Sequence, residues 1–113
     1  MSNVTSLLPV HPGEVLAEEF MIPLGISVDE LALDIRVSPV LVSDILAGRA
    51  GISAESAMRL GRYFRTSYQM WLNLQKNYDM HHARIEHAES IAQIRPMEGR
   101  KVPPTAEILR FRR

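Results

Sequence analysis

The amino-acid sequence predicts an all-α fold of five helices, and two features of its 113 residues indicate this. Apolar residues recur at helical spacing in successive segments, whereas no segment alternates apolar and polar residues for long enough to predict a strand. Serine, threonine, glycine and proline stand between these segments, where helices typically begin or end. A hydrophobic fraction of 46% is sufficient to bury a core within a single domain.

Residues 27–49 form the centre of the predicted fold, because they contain two short apolar stripes separated by a tight turn. Ser27 is expected to cap the first helix of this pair and Ser38 the second, whose first turn accommodates Pro39. Gly48 ends the second helix at a position that favours a left-handed residue. Two helices of about two turns each with a short corner are typical of a helix-turn-helix unit, whose second helix lies in the DNA major groove.

Three further helices surround this unit. The first opens at residues 11–14 and closes near Pro23, which opposes helical continuation. The fourth runs from about 54 to 65, and Gly61 in its interior predicts a close crossing with another helix. The fifth begins at a capping box opened by Thr66 and continues into the eighties.

The chain divides into three predicted regions. Residues 1–10 are expected to be a flexible N-terminus, and residues 11–80 a helix-turn-helix domain for DNA binding and dimerisation. Residues 81–113 contain the end of the fifth helix and an irregular C-terminal arm, which three prolines and a glycine between residues 93 and 104 predict. Residues 106–111 can form one more helical turn or a strand.

The formal net charge is zero, but the charges are unevenly distributed along the chain. Residues 1–30 contain five acidic residues and no lysine or arginine, so all 13 basic residues follow them. Either a basic face exists despite the neutral total, or the surface is an ordinary mixture of both signs.

Composition also excludes several classes of protein. Cysteine is absent, which rules out a disulfide framework and a zinc site built on thiolates. No apolar run approaches the roughly 20 residues that span a bilayer, and the N-terminus lacks the positive start of a signal peptide. We therefore expect a soluble, cytoplasmic protein without membrane contact.

The sequence offers little support for catalysis or metal binding. It has no thiol, no glycine-rich phosphate loop and no Gly-x-Ser-x-Gly turn, and capping explains its serines. His82 and Glu86 have the spacing of a helical ligand pair, with His81 and His87 nearby, but no third ligand follows at a characteristic spacing. We predict no enzymatic activity, no metal and no cofactor.

The outer side of the second helix of the helix-turn-helix unit selects the base-reading positions Pro39, Val40, Ser43 and Asp44. Pro39 and Val40 can contact a thymine methyl group, and Ser43 can donate or accept a hydrogen bond. Asp44 can accept only from cytosine, and its charge is unfavourable beside phosphates, so Asp44→Asn is expected to strengthen binding. None of these four positions carries Arg, Lys, Gln or Asn, the side chains that usually form paired hydrogen bonds with a base. Specificity therefore depends partly on methyl contacts and DNA shape, or DNA binding is weak.

Phosphate contacts are expected at the two helix N-termini, where amide groups and the positive dipole end face outward. Arg36 at the corner and Arg49 after the second helix extend this rim, with the loop amides of Gly51 and Ile52 beyond it. The alternative is that the serines act only as helix caps. Arginines placed like Arg59, Arg62 and Arg65 more often form a solvated face or ion pairs with the acidic first helix than contacts with DNA. The complete predicted DNA-binding set is Ser27, Val28, Arg36, Ser38, Pro39, Val40, Ser43, Asp44, Arg49 and Ser53.

The fifth helix has more apolar surface than a small domain can bury on one side. Surplus apolar surface of this kind indicates a dimer interface, and a two-fold dimer doubles the length of DNA that one short helix can read. The predicted interface residues are Trp71, Leu72, Leu74 and Tyr78.

Several segments in register resemble the HigA/VapI-type antitoxins of the Cro/C1-type (XRE) helix-turn-helix regulators, over about residues 11–80. They are HPGEVL at 11–16, EFMIPLGIS at 19–27, ELA at 30–32, Arg59-Leu60, Phe64, and WLNLQ at 71–75 followed by Tyr78-Asp79. The resemblance implies a five-helix, lambda-repressor-like DNA-binding domain, here with a C-terminal extension. It also implies a homodimer that binds double-stranded operator DNA, silences a cognate RelE-like ribonuclease toxin and represses the operon of both proteins.

The resemblance carries the family's base-reading positions onto Pro39, Val40, Ser43 and Asp44, and its backbone contacts onto Val28, Arg49 and the following loop. The sequence departs from the commoner pattern, which is richer in Arg, Gln, Ser and Thr at these positions and often has glycine in place of Arg36. Two alternatives remain open. One is a stand-alone XRE-type regulator without a toxin, and the other is a protein-interaction module with weak DNA binding.

Overall fold

The computed structural model describes residues 8–101 and 104, and within this part it is entirely helical with no strand. Five helices follow one another, which confirms the predicted all-α, five-helix fold. Helix α1 comprises Pro12–Val15, a π-helical segment Leu16–Met21 and a last turn Ile22–Leu24. The others are α2 (Val28–Ile35), α3 (Pro39–Leu46), α4 (Ala54–Phe64) and α5 (Tyr68–Ala92).

Serine hydroxyls cap the starts of α2, α3, α4 and α5, as the sequence predicts for the first three of these. Ser27, Ser38 and Ser53 each accept a hydrogen bond from an amide two or three residues later, at 3.0–3.1 Å. The predicted cap of α5 is wrong by one residue, because Ser67 and not Thr66 accepts from the first turn. The Thr66 hydroxyl instead accepts from Nε1 of Trp71 at 2.9 Å.

The first four helices end in a left-handed residue, which turns the chain sharply into the next segment. Glycine adopts this conformation at Gly25 (φ 67°) and Gly48 (φ 79°), and arginine adopts it at Arg36 (φ 64°) and Arg65 (φ 58°). In each case the amide of the following residue donates to a carbonyl inside the last turn, at 2.8–3.0 Å. Arg36 therefore occupies a backbone position in the left-handed conformation, which glycine adopts more easily than arginine.

Helix α1 continues one residue beyond Pro23 and does not end before it. Proline has no N–H to donate and its ring crowds the carbonyl four residues earlier, which normally breaks a helix. Here the preceding segment Leu16–Met21 is wound as a π-helix, and the N–H of Ile22 donates to the carbonyl of Ala17. The wider turn accommodates the proline without ending the helix.

The core lies between all five helices and contains Trp71, which is 0% exposed. Phe20 and Phe64 pack beside it, with the Phe20 ring centroid 5.2 Å from that of Trp71. Trp71 is therefore unable to contact a partner subunit, and its prediction as an interface residue is wrong. The remaining predicted interface residues are half-buried in the first half of α5. They are Leu72, Leu74 and Tyr78.

Two glycines allow helices to approach more closely than any side chain would permit. A Cβ atom at Gly13 would overlap the backbone carbonyl oxygen of Ile45, so the first turn of α1 lies directly against α3. A Cβ atom at Gly61 would lie 2.9 Å from the carbonyl oxygen of Thr66, which confirms the close crossing predicted there. Gly13 thus lets the start of α1 pack against the C-terminal half of α3.

Helix α5 is long, and its last turns are exposed in the described part of the chain. Its 25 residues span about 37 Å, and every residue from Arg84 to Ala92 is exposed. The described residues after it, 93–101 and 104, form no regular element. The predicted turn or strand at 106–111 lies outside the described residues, as do residues 1–7. None of the described helices is long and apolar enough to cross a membrane.

Candidate nucleic-acid interface

Helix α3 presents one side to solvent and buries the other. Val42 and Ile45 are buried in the core, whereas Pro39 and Val40 are exposed, Val40 by 66%. Ser43, one turn further along the outer side, is half-buried. The predicted base-reading positions in the first turn therefore lie on a free surface, which is apolar at its N-terminal end.

The two capping serines of the helix-turn-helix unit, Ser27 and Ser38, are both exposed. Val28 follows Ser27 as a half-buried residue in the first turn of α2. Ser53 is also exposed, and its hydroxyl contacts that of Ser56 at 3.2 Å in addition to capping α4. The three serines act as caps, and their exposure leaves the helix starts accessible to an anion.

Asp44 and Arg49 form an ion pair at the end of α3. The Nε–H of Arg49 donates to Oδ1 of Asp44 at 3.0 Å, and the Arg49 side chain remains 66% exposed against 34% for Asp44. The backbone supports the same pairing, because the amide of Arg49 donates to the carbonyl of Asp44 at 2.8 Å. Two residues that were predicted to act separately therefore form one neutral unit.

Arg59 supports the fold instead of facing a ligand. Its Nη1 donates to the carbonyl of Ile35 at 2.8 Å, which satisfies the C-terminal end of α2. Its Nε and Nη2 contact Glu55 at 3.0 and 2.9 Å, one turn earlier in α4. The carbonyl of Arg36 lies 3.4 Å from Nη1, so Arg59 also holds the turn that carries the Arg36 side chain.

Gln75 holds the loop after α3, and sequence reasoning missed this role. Its Oε1 accepts from the amide of Ile52 at 2.7 Å, and its Nε2 donates to Asp79 at 2.9 Å. Gly51 leaves room for this side chain, because a Cβ atom there would lie 2.9 Å from Oε1 of Gln75. The predicted phosphate contact by the Ile52 amide is wrong, since that amide is already used. The only sequence signal was the position of Gln75 in the WLNLQ segment.

Tyr63 and Asp34 connect α4 with α2. The Tyr63 hydroxyl donates to Oδ2 of Asp34 at 2.7 Å. This hydrogen bond is the main cause that raises the pKa of Tyr63 above its ordinary value, with desolvation and the charges of Asp34 and Glu30 adding to it. The contact fixes α2 against α4 on the side away from the core.

Three of the four histidines, His11, His81 and His82, lie in an aromatic cluster around Tyr78. His11 caps α1 by accepting from the amide of Gly13 at 2.9 Å, and its ring meets Tyr78 edge-on at 4.9 Å. Tyr78 in turn contacts His82, at 4.4 Å between ring centroids, and His81 follows at 5.5 Å from His82. Among residues 8–101 and 104, no group of three potential ligands could hold a metal ion.

Comparison with known proteins assigns the family. A helix-turn-helix family model matches residues 18–71. Virulence-associated protein I of Dichelobacter nodosus is 45% identical over 71 residues, which cover 63% of this chain and just under two thirds (66%) of the relative. Antitoxin HigA-1 of Vibrio cholerae is 30% identical over 93 residues, covering 82% of this chain and 88% of the relative. The structure of Pseudomonas aeruginosa antitoxin HigA with the higBA promoter is 44% identical and aligns with a TM-score of 0.74, covering 79% of this chain and 98% of the other.

The chain belongs to the HigA-type antitoxins. The resemblance seen in the sequence is thereby confirmed, as is the helix-turn-helix assignment of residues 27–49. The HigA-type antitoxins are helix-turn-helix proteins and not a class of enzymes. In this HigA-type antitoxin the first turn of α3 is exposed, and the ion pair of Asp44 and Arg49 lies at the far end of the helix.

Proposed function

We propose that this HigA-type antitoxin is a cytoplasmic, sequence-specific DNA-binding homodimer that represses its own operon and neutralises a RelE-like ribonuclease toxin. Residues 11–80 would provide both DNA binding and dimerisation. The observation that carries the DNA-binding part is the outer side of α3, exposed at Pro39 and Val40 while Val42 and Ile45 fix the opposite side. A helix held in this way can enter a major groove without unfolding any part of the core.

The surroundings of α3 support contact with phosphates. The exposed starts of α2 and α3, at Ser27 and Ser38, offer amide groups to an anion. Arg36, two residues before Ser38, and Arg49, after the C-terminal end of α3, are exposed cations of the same unit. The Pseudomonas aeruginosa relative was solved with promoter DNA, which supports the same partner for this chain. Base recognition would then use methyl contacts by Pro39 and Val40, a hydrogen bond from Ser43, and the shape of the duplex.

A homodimer is supported by the apolar residues of α5 outside the core. Leu72 and Leu74 differ by about 160° around the helix, so a single flat interface takes only one of them. Leu74 shares its side of α5 with Tyr78, four residues later, and with the exposed Ile85 beyond it. We therefore place the interface along Leu74, Tyr78 and Ile85, which leaves Leu72 outside it.

The toxin partner and the repression of the operon rest on the family. The relatives named as antitoxins support a protein partner. The sequence does not indicate which surface of this chain would bind the toxin. Two alternatives are tested with the same experiments: a stand-alone regulator that binds DNA but no toxin, and an interaction module that binds a protein partner but little DNA.

The experiment that tests this function combines two measurements on the full chain. Mobility shifts with a duplex from the upstream region of its own gene measure DNA binding, and co-purification with the product of the adjacent gene measures toxin binding. Binding in both supports the proposal. A duplex bound without any co-purifying toxin favours the stand-alone regulator, whereas a co-purifying partner without a shifted duplex favours the interaction module.

A further inference from the structure

An acidic residue on the outer side of a helix that meets DNA is an anomaly that requires an explanation. Asp44 lies one residue after Ser43 on α3, and its carboxylate would face the negatively charged backbone of a bound duplex. Considered alone it would weaken every complex. In the structure it is not alone, because Arg49 pairs with it.

We propose that Asp44 is a positioning residue, which holds the Arg49 guanidinium in place for a DNA phosphate instead of reading a base. This inference rests on the proposed DNA-binding function. It replaces the expectation from the sequence that Asp44 either reads cytosine or merely repels DNA.

The geometry of the pair supports this role. Oδ1 of Asp44 accepts from Nε of Arg49 at 3.0 Å, which engages one edge of the guanidinium and leaves its terminal amino groups available to a second acceptor. The Arg49 side chain is 66% exposed, so a phosphate can approach it from solvent. An arginine fixed in this way loses less side-chain entropy when it binds a phosphate than one that moves freely.

The backbone places the two side chains together. Gly48 adopts the left-handed conformation, and the amides of Arg49 and Ala50 both donate to the carbonyl of Asp44, at 2.8 and 3.1 Å. The end of α3 therefore folds back on the residue whose carboxylate holds the guanidinium. On the far side of the loop, Gln75 accepts from Ile52, which limits movement of the segment that carries Arg49.

The same pair explains why the acidic residue is tolerated. A bare carboxylate at this position would repel phosphates, whereas the pair of Asp44 and Arg49 has no net charge. A role as a cytosine reader would have to use the remaining acceptor sites of the carboxylate, because Oδ1 already accepts from Arg49.

The test is a double-mutant cycle with wild type, Asp44→Asn, Arg49→Ala and the double variant. Affinity is measured at several salt concentrations for two probes, the upstream duplex and a shuffled duplex of equal length and composition. Arg49→Ala is expected to weaken binding of both probes and to reduce the slope of log K against log salt by about one. Asp44→Asn is expected to weaken binding of both probes by about two- to fivefold when Arg49 is present, the range typical of an exposed ion pair.

The decisive comparison is the sign of the Asp44→Asn effect in the two backgrounds. In the Arg49→Ala background the carboxylate has no partner and only repels DNA, so Asp44→Asn should strengthen binding there. Arg49→Lys serves as the matched control, because it keeps the positive charge but lacks Nε. It should retain most of the salt dependence and should lose the weakening by Asp44→Asn.

Three outcomes would overturn the inference. If Asp44→Asn strengthens binding in both backgrounds, the carboxylate acts by repulsion alone. If the loss is confined to the upstream duplex, Asp44 reads a base. If wild type binds neither probe, the proposed function fails and this inference fails with it. Thermal unfolding of all variants separates these results from a loss of folding, and the NMR signal of Arg49 Nε–H reports directly whether Asp44 holds it.

Discussion

Arg36 is an arginine at a backbone position that suits glycine. Its φ of 64° lies in the left-handed region, which costs a residue with a side chain roughly 1–2 kcal/mol. Such a residue is retained more readily if its side chain has a use, and Arg36 lies on the predicted phosphate rim. Arg65, with a φ of 58°, ends α4 in the same conformation and provides a matched comparison.

We expect Arg36→Gly and Arg65→Gly each to raise the free energy of unfolding by about 1 kcal/mol, because glycine adopts this conformation without strain. Only Arg36→Gly is expected to weaken DNA binding as well. Urea unfolding measures the first effect and mobility shifts the second. Equal DNA affinity of the two variants would remove Arg36 from the interface.

The hydrogen bond between Tyr63 and Asp34 is expected to make stability depend on alkaline pH. Its pKa in the folded protein is raised above the ordinary value of 10.0, mainly because its hydroxyl donates to Asp34. The protonated form is therefore favoured by folding, so the stabilising effect is fully present below pH 10.0 and is lost as the pH rises through the raised pKa.

Tyr63→Phe is accordingly expected to lower stability at neutral pH and to show a smaller alkaline loss of stability than wild type. Urea unfolding at a series of pH values compares the two proteins directly. Asp34→Asn should reduce the same alkaline dependence, because it removes the charge that opposes ionisation of the phenol. Parallel pH profiles for all three proteins would contradict this role of the hydrogen bond.

At the scale of whole elements, Gln75 connects α5 to the loop that follows α3. Replacing it by alanine leaves the Ile52 amide without its partner, which is expected to cost about 1–3 kcal/mol. Hydrogen exchange at the Ile52 amide should accelerate, and thermal unfolding should move to lower temperature. Asp79→Ala is the matched control, because it removes only the exposed contact to Nε2 of Gln75. If the two variants behave alike, Gln75 does not support the loop.

The helix caps illustrate which parts of the structure could be predicted from the sequence. The caps at Ser27, Ser38 and Ser53 were predictable because each involves residues two or three positions apart. The cap of α5 was misassigned because Thr66 and Ser67 are adjacent hydroxyl residues, and the choice between them depends on the buried Trp71 ring.

Contacts between residues that are far apart in the sequence could not be predicted, because they produce no local sequence pattern. Arg59 reaches the carbonyl of Ile35 across 24 positions, and Gln75 reaches Ile52 across 23. Neither spacing relates to a helical period, so the sequence suggested a solvated face or an ion pair for Arg59 and not its contact with the end of α2. Asp44 and Arg49 were each identified as candidate contacts, but their pairing depends on the left-handed turn at Gly48. The candidate site was therefore predictable as a set of residues and not as an arrangement.

At the scale of the whole molecule, the proposed homodimer is the feature most open to test. Ile85 is 66% exposed on the part of α5 beyond the core, on the same side as Leu74 and Tyr78. Ile91 is 55% exposed and lies about 120° away around the helix. The two residues thus allow the same substitution to be made on and off the proposed interface.

We expect Ile85→Lys to shift the protein from twice the 12.8 kDa chain mass towards a monomer, because it places a charge in an apolar interface. Ile91→Lys should leave the mass unchanged. Light scattering over a range of concentrations measures both, and circular dichroism checks that each variant keeps its helices. A monomer in both variants, or in neither, would move the interface elsewhere on the molecule.

The absence of a side chain at Gly13 has a consequence for the proposed DNA binding as well as for the fold. Because the opening turn of α1 rests directly on the backbone of Ile45, α3 cannot move towards α1. In the proposed binding mode, a groove that does not match this helix would have to adjust its own width or twist. Duplexes that deform easily around the contacted step should therefore bind better than stiff ones that carry the same contacted bases.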